Sequence, residues 1–79
     1  MASQLERERM ADSTARYHER QHRRLLVTLL HPPQAISEAR YGEISRQADY
    51  HWREAEAARV RVVAIQLEGV TLDDLARAA

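Results

Sequence analysis

The chain has no cysteine and no lysine, and only two glycines and two prolines among its 79 residues. The lack of cysteine excludes disulfide bonds, thiolate catalysis and every zinc site built on cysteine. Because all twelve strongly basic side chains are arginines and alanine is abundant, the composition is typical of a GC-rich bacterial or phage genome. Arginine keeps its charge in any environment and can form two hydrogen bonds to one carboxylate, so a surface rich in ion pairs is expected.

Charge and hydropathy exclude further classes of protein. The formal net charge is zero, which argues against the broad positive field that non-specific nucleic-acid binding requires. No apolar run reaches the roughly 18 residues that could span a bilayer, and the first ten residues lack the apolar segment of a signal peptide. We therefore expect a cytoplasmic protein with no membrane partner. A domain of this size buries only about 60–65% of the surface of its unfolded chain, so dimerisation, a metal or very good helix packing must help to stabilise it.

Two long helices are predicted. Ser3 and Glu6 have the spacing of a capping box, which starts helix 1 at about residue 4, and Pro32 with Pro33 ends it at about residue 30. Pro33 also suits the first turn of helix 2, which is predicted over about residues 34–67. Residues that share one face of helix 2 recur there at intervals of three and four: Ile44, Ala48, His51, Trp52, Ala55, Ala58, Val62 and Ile65.

Two stretches of helix 2 leave alternatives open. Gly42 indicates a kink, a close approach between helices, or a helix that starts just after it, because glycine costs a helix interior roughly 1 kcal/mol relative to alanine. Residues 60–67 are rich in β-branched side chains and could form a strand. We favour helix for this stretch because the alanine-rich run before it continues into it without a break.

The end of the chain predicts a third, short helix. Gly69 suits a left-handed residue that ends helix 2, and Thr71 with Asp74 has the spacing of another capping box. The short helix is therefore predicted over about residues 72–78. The expected fold is all-α, a single domain over residues 1–79 that forms an antiparallel helical hairpin with a short C-terminal helix.

The apolar residues of the two long helices are unevenly matched. A short connection makes the helices antiparallel neighbours, so the valine-rich end of helix 2 lies beside the charged start of helix 1. The leucine-rich end of helix 1 likewise exceeds what Ile36 and Tyr41 can cover. Such patches usually mark interfaces, so we predict a homodimer in which leucine-rich and valine-rich ends meet in a four-helix bundle. A monomer would need the short helix to fold back over the valines. The predicted interface residues are Leu25, Leu26, Leu29, Leu30, Val62, Val63, Ile65 and Leu67.

The first long helix contains a motif typical of zinc enzymes, and three histidines are candidates for a metal site. Residues 18–22 read H-E-x-x-H, the pattern of zinc peptidases, in which two histidines on one helical face hold zinc. Arg20 beside the site, the lack of a third histidine six residues later and the small size of the chain argue against a peptidase. His18, His22 and His51 remain weak candidates for a structural metal site or a group that titrates near neutral pH. The alternative is that they are ordinary hydrogen-bonded residues between the helices, and no cofactor is predicted.

Aromatic residues flanked by arginine predict a surface that binds a protein partner. Short similar segments occur at residues 15–20, 39–43 and 48–53, but they are too short and unevenly spaced for a repeat architecture. Exposed aromatic and arginine side chains are the commonest composition of binding hot spots. The alternative, that these are scattered surface tyrosines with no binding role, has about equal weight. The predicted partner-binding residues are Tyr17, Arg20, Arg23, Arg24, Tyr50 and Arg53.

No catalytic constellation is present in the sequence, so we expect a protein that is not an enzyme. The first hypothesis is a dimeric protein–protein interaction module, a regulator or inhibitor that binds a larger host or cellular protein. The second is a nucleic-acid-associated transcriptional regulator, for which the small arginine cluster is a limited footprint. The third is a histidine-based metal-binding bundle.

Overall fold

A computed structural model describes residues 2–32 and 34–79. Three helices follow one another along the chain: α1 Gln4–Leu30, α2 Glu38–Gln66 and α3 Leu72–Ala78. The described residues contain no strand, and α1 and α2 pack against each other as an antiparallel hairpin. The all-α class and the hairpin are therefore confirmed. The strand alternative for residues 60–67 is wrong, because α2 continues to Gln66.

The start of α2 differs from the prediction. Helix 2 was expected from about residue 34, whereas the structure begins it at Glu38. Ser37 is the N-cap, and its hydroxyl accepts a hydrogen bond of 3.1 Å from the backbone N–H of Arg40. Serine favours this position because it satisfies an N–H that has no partner within the helix. The predicted first-turn role of Pro33 lies outside the described residues.

The other helix ends follow the sequence signals closely. Ser3 caps α1 by accepting a hydrogen bond of 3.1 Å from the backbone N–H of Glu6. Thr71 and Asp74 form the reciprocal capping box that was predicted for α3. Gly69 has a φ angle of +77°, the left-handed conformation expected after the end of α2.

Gly42 lies inside α2 rather than just before its start. A Cβ atom added at Gly42 would come within 3.4 Å of the side chain of Arg46 and would meet no part of α1. The residue therefore marks neither the start of the helix nor a close approach between helices.

Small residues dominate the contact between α1 and α2. The inward-facing positions alternate at intervals of three and four on both helices, the heptad spacing of a two-stranded coiled coil. The buried residues of the described chain are five alanines and one isoleucine: Ala11, Ala15, Ile44, Ala48, Ala55 and Ala58. Alanine brings the helix backbones close together but buries little apolar area. Trp52 was predicted to share this face, but its side chain is 49% exposed.

α3 does not cover the hairpin. Every residue of α3 is exposed, and none of its Cα atoms lies within 8 Å of a Cα atom of α1 or α2. The alternative in which the short helix folds back over the valines is therefore not adopted. The valine-rich end of α2 stays open, and the molecule is elongated, with principal extents of 57 × 30 × 16 Å.

Candidate functional site

Two histidines meet at the middle of the hairpin. His18 on α1 and His51 on α2 occupy inward-facing heptad positions, and their Nδ1 atoms lie 2.7 Å apart. One Nδ1 must donate and the other accept, because only one hydrogen fits between two atoms at this distance. Burial lowers the pKa of His51, and the neighbouring His18 and His22 lower it further, whereas Glu54 opposes the shift. The antiparallel packing of the two helices therefore brings these two histidines together.

Two tyrosines surround the histidine pair. The ring of Tyr17 lies 5.0 Å from His18 and 6.1 Å from His51, measured between centroids. Tyr50 lies 5.1 Å from His51 and 5.9 Å from His18. All four contacts are edge-to-face, the arrangement that aromatic rings favour. We call Tyr17, His18, Tyr50 and His51 the aromatic cluster. Both tyrosines remain about half exposed, so the cluster presents aromatic surface to solvent.

The aromatic cluster relates two of the similar sequence segments. Residues 15–20 and 48–53 share the pattern A-x-Y-H-x-R. In the structure the two alanines are buried, the two histidines pair and the two tyrosines lie on the same flank. The segments thus face each other across an approximate two-fold axis between antiparallel helices. The sequence showed the similarity, but only the helix register brings the segments together.

His22 is directed to Trp52 rather than to the histidine pair. The rings of His22 and Trp52 lie 5.1 Å apart and are tilted by 40°. Together with Glu19, Arg23 and Leu26 they line a shallow depression of about 400 Å³ between the helices. The depression has room for a side chain of a binding partner, and its lining combines aromatic, apolar and charged groups.

The three candidate metal ligands do not form a metal site in this arrangement. Among the residues that the structure describes, no three histidine or acidic side chains converge to hold a metal. Two nitrogens bound to one zinc ion at about 2.0–2.1 Å would lie about 3.3 Å apart in a tetrahedral site. The 2.7 Å separation of His18 and His51 is instead that of a hydrogen bond. A three-histidine site would therefore require the side chains to rearrange.

The predicted partner-binding arginines are available on the surface. Arg20, Arg23, Arg24 and Arg53 are exposed, and none forms an ion pair with another described residue. They lie in the middle of the hairpin and toward its tip, by which we mean the end where α1 connects to α2. The opposite end, where α1 begins and α2 finishes, is the open end.

Another arginine, which the sequence did not single out, links the two helices. Arg59 on α2 contacts Asp12 at 2.6 Å and Glu19 at 2.7 Å, both on α1. Its hydrogen bond to Glu19 lowers the pKa of that carboxyl group. No local pattern indicates this network, because Arg59 lies 47 residues from Asp12 and 40 residues from Glu19 in sequence.

The predicted dimer-interface residues divide into two groups. Leu25, Leu29, Val62 and Ile65 are half-buried between α1 and α2. Four others are exposed: Leu26 at 38%, Leu30 at 73%, Val63 at 52% and Leu67 at 50%. Val27 and Val60, which were not predicted as interface residues, are also exposed. The exposed group and these two valines can contact a second molecule without opening the hairpin.

The outer side of α2 carries an apolar groove near the open end. Its lining consists of Val60, Val63, Ala64 and Leu67, with Arg59 at the rim, and we call it the valine groove. Its volume is about 430 Å³. Nothing in the described chain covers it, because α3 projects away.

Comparison with protein-family models, with curated proteins and with solved structures found no match to this chain. Within the described ranges, no helix is both long enough and apolar enough to cross a bilayer.

Proposed function

We propose that this protein is a non-enzymatic interaction module of a bacterial or phage-infected cell. As a homodimer in the cytoplasm, it docks onto a larger protein and modulates or inhibits it. The observation that carries this proposal is the amount of surface that the single chain leaves uncovered. The aromatic cluster and the arginines beside it supply the docking surface.

The solvent-accessible area of the chain is 6338 Å², whereas a compact monomer of 9.1 kDa is expected to expose about 4,900 Å². The radius of gyration is 17.9 Å, against about 12 Å for a compact domain of this length. An elongated hairpin with an alanine core therefore exposes more surface than a compact monomer, and this surface is available to contact other chains. A standard interface needs only about 800 Å² from each partner.

The exposed groups favour a partner with an acidic surface. Tyr17, Tyr50 and Trp52 are each about half exposed. Of the arginines near them, Arg20, Arg23, Arg24 and Arg53 form no ion pair within the described chain. Tyrosine, tryptophan and arginine are the residues most enriched in binding hot spots. Arginine forks onto carboxylates, so aspartate or glutamate around an apolar contact is the chemistry that this surface fits.

Affinity purification from the native cell, followed by mass spectrometry, tests the docking proposal. The same partner should be captured by the wild-type chain and lost with Tyr50→Ala and with Arg23→Glu. Two matched controls should retain it: Tyr41→Ala, which removes another half-exposed tyrosine, and Arg9→Glu, which reverses an exposed arginine at the open end. Equal capture by all five chains would reject the proposed surface.

A nucleic-acid-associated regulator is the second candidate, because Arg20, Arg23 and Arg24 form a local basic cluster without ion pairs in the described chain. Arg16 would extend this cluster but pairs with Asp12 at 3.0 Å. Phosphate contacts release counterions, so such binding would weaken steeply as salt is raised. Absence of DNA binding even at low salt would exclude this function.

A further inference from the structure

We propose that the valine groove is covered by the tip of a second copy of this chain, in an antiparallel two-fold dimer. The inference deepens the proposed function, since it gives the arrangement of the homodimer assumed there. The surface that fills the groove is the leucine patch, which we define as Leu26, Val27 and Leu30 near the tip. These three side chains are 38–73% exposed.

Both apolar surfaces reach the same flank of the hairpin. In an antiparallel pair of helices, the residue directly after each inward-facing residue points to the same side, or flank, of the hairpin on both helices. Glu19 follows His18 and Arg59 follows Ala58 in this way, and their ion pair shows that the two lie on one flank. Leu26 and Leu30 each follow an inward-facing leucine in this way, and Val63 follows Val62. A second hairpin packed on this flank therefore meets Leu26, Leu30 and Val63 directly. Val60 and Leu67 follow inward-facing residues by two and lie toward the outer side of α2, at the edge of this contact.

The spacing of the two surfaces matches a two-fold axis near the histidine pair. The leucine patch lies eight to twelve residues from His18 toward the tip, and residues 60–67 lie nine to sixteen residues from His51 toward the open end. At about 1.5 Å per residue these distances are about 12–18 Å and 14–24 Å. A rotation about an axis at the level of His18 and His51 thus places each leucine patch beside the valine groove of the other copy.

Charge favours the same orientation. Residues 17–53, the tip half, contain six arginines and four acidic residues, whereas the rest of the chain contains six and eight. With neutral histidines the tip half has a net charge of +2 and the open half −2. An antiparallel dimer pairs opposite charges, whereas a parallel dimer pairs like charges. Complementary charge of this size sets orientation more than affinity.

The area available suffices for a stable dimer. The chain exposes about 1,400 Å² more than a compact monomer of its mass, and a standard interface uses about 800 Å² from each copy. A second copy also presents both an apolar patch and complementary charge at the required distance. These properties favour a second copy over an unrelated apolar segment as the occupant of the groove.

Cross-linking through introduced cysteines tests the orientation, because the natural chain contains none. Single variants Leu30→Cys and Leu67→Cys are purified, then oxidised or treated with a short bismaleimide, alone and mixed. In the antiparallel dimer two copies of residue 30 lie about 36 Å apart, so each variant alone gives no covalent dimer. The mixture gives a covalent heterodimer. Self-linking of either variant, or no linking in the mixture, would overturn the proposal.

Light scattering of the purified chain at micromolar concentration gives an independent test. The expected mass is twice 9.1 kDa. Val63→Asp should raise the dimer dissociation constant at least about tenfold, because it buries an unpaired charge. Met10→Asp is the matched control, since Met10 is also apolar and is 66% exposed against 52% for Val63. Met10 precedes the inward-facing Ala11 by one residue, as Tyr17 precedes His18, and so lies on the opposite flank. Unchanged helicity by circular dichroism shows that either variant still folds.

Failure of this inference is distinguishable from failure of the docking proposal. A monomeric wild-type mass rejects the dimer, while capture of a partner that is lost with Tyr50→Ala would still support docking. A dimer that captures no partner through Tyr50 rejects docking and leaves the dimer in place. Arg23 does not enter this comparison, because it lines the same depression as Leu26 of the leucine patch.

Discussion

Replacing Ala58 with leucine tests whether close contact between small residues holds α1 and α2 together. Ala58 and Ala15 are both 0% exposed, so no space is open for three additional carbon atoms. Overpacking of this kind costs about 1–3 kcal/mol. The whole chain is expected to be stable by only about 4–12 kcal/mol at 79 residues, so the loss is a large fraction of the total.

The measurement is thermal and urea unfolding followed by the helical circular dichroism signal, at one fixed protein concentration because dimerisation shifts apparent stability. A loss of about 2 kcal/mol should lower the melting temperature by about 8–16 °C. Ala57→Leu is the control, since Ala57 is the exposed neighbour of Ala58 and the same side chain is added. Its effect should stay within about 0.5 kcal/mol. If Ala58→Leu and Ala57→Leu have the same melting temperature, the alanine contact does not determine the stability of the hairpin.

Two further predictions concern the histidine pair and the glycines. Burial and the neighbouring histidines lower the pKa of His51, so the folded chain binds this proton more weakly than the unfolded chain does. Stability is therefore complete above the ordinary value of 6.5 and decreases as pH falls from 6.5 through the lower pKa of the folded state. Urea unfolding between about pH 7.5 and 5.5 should show this decrease, and His51→Gln should reduce it; equal wild-type stability at both ends would contradict the reasoning. Gly69→Ala should destabilise by roughly 1 kcal/mol because φ is +77° there. Gly42→Ala should instead stabilise by up to about 1 kcal/mol, because Gly42 lies within α2 and only a flexible arginine side chain is near. Thermal unfolding should show a lower melting temperature for Gly69→Ala and a higher one for Gly42→Ala. Equal shifts would contradict the different roles given to the two glycines.

The start of α2 shows how a local signal can be overlooked. Ser37 followed by Glu38 has the chemistry of an N-cap with an acidic first turn, so the sequence contained the information for the correct boundary. Pro33 also suits a first helical turn, so it predicts an earlier start than the one that Ser37 sets. The capping residues Ser3 and Thr71 were identified correctly because each is followed at the right spacing by an acidic residue.

Trp52 and Arg59 show what local patterns do not determine. Trp52 lies one residue after His51, so by spacing alone it shares the edge of the inward face. In the structure it turns outward onto His22, because buried alanines leave no room for an indole between the helices. Arg59 reaches two carboxylates on α1 only because the register places them opposite.

The sequence by itself determined the three helices, the end of α1 before Pro32, the spacing of the inward-facing residues and most of the other helix ends. These features depend on helical periodicity and on hydrogen bonds between residues a few positions apart, both of which are encoded locally. Only the tertiary structure decided that alanines form the core, that His18 and His51 share one hydrogen bond, and which apolar side chains remain open. Those outcomes depend on the register and separation of two antiparallel helices. A shift of one helix relative to the other changes every such contact while it leaves each local pattern intact.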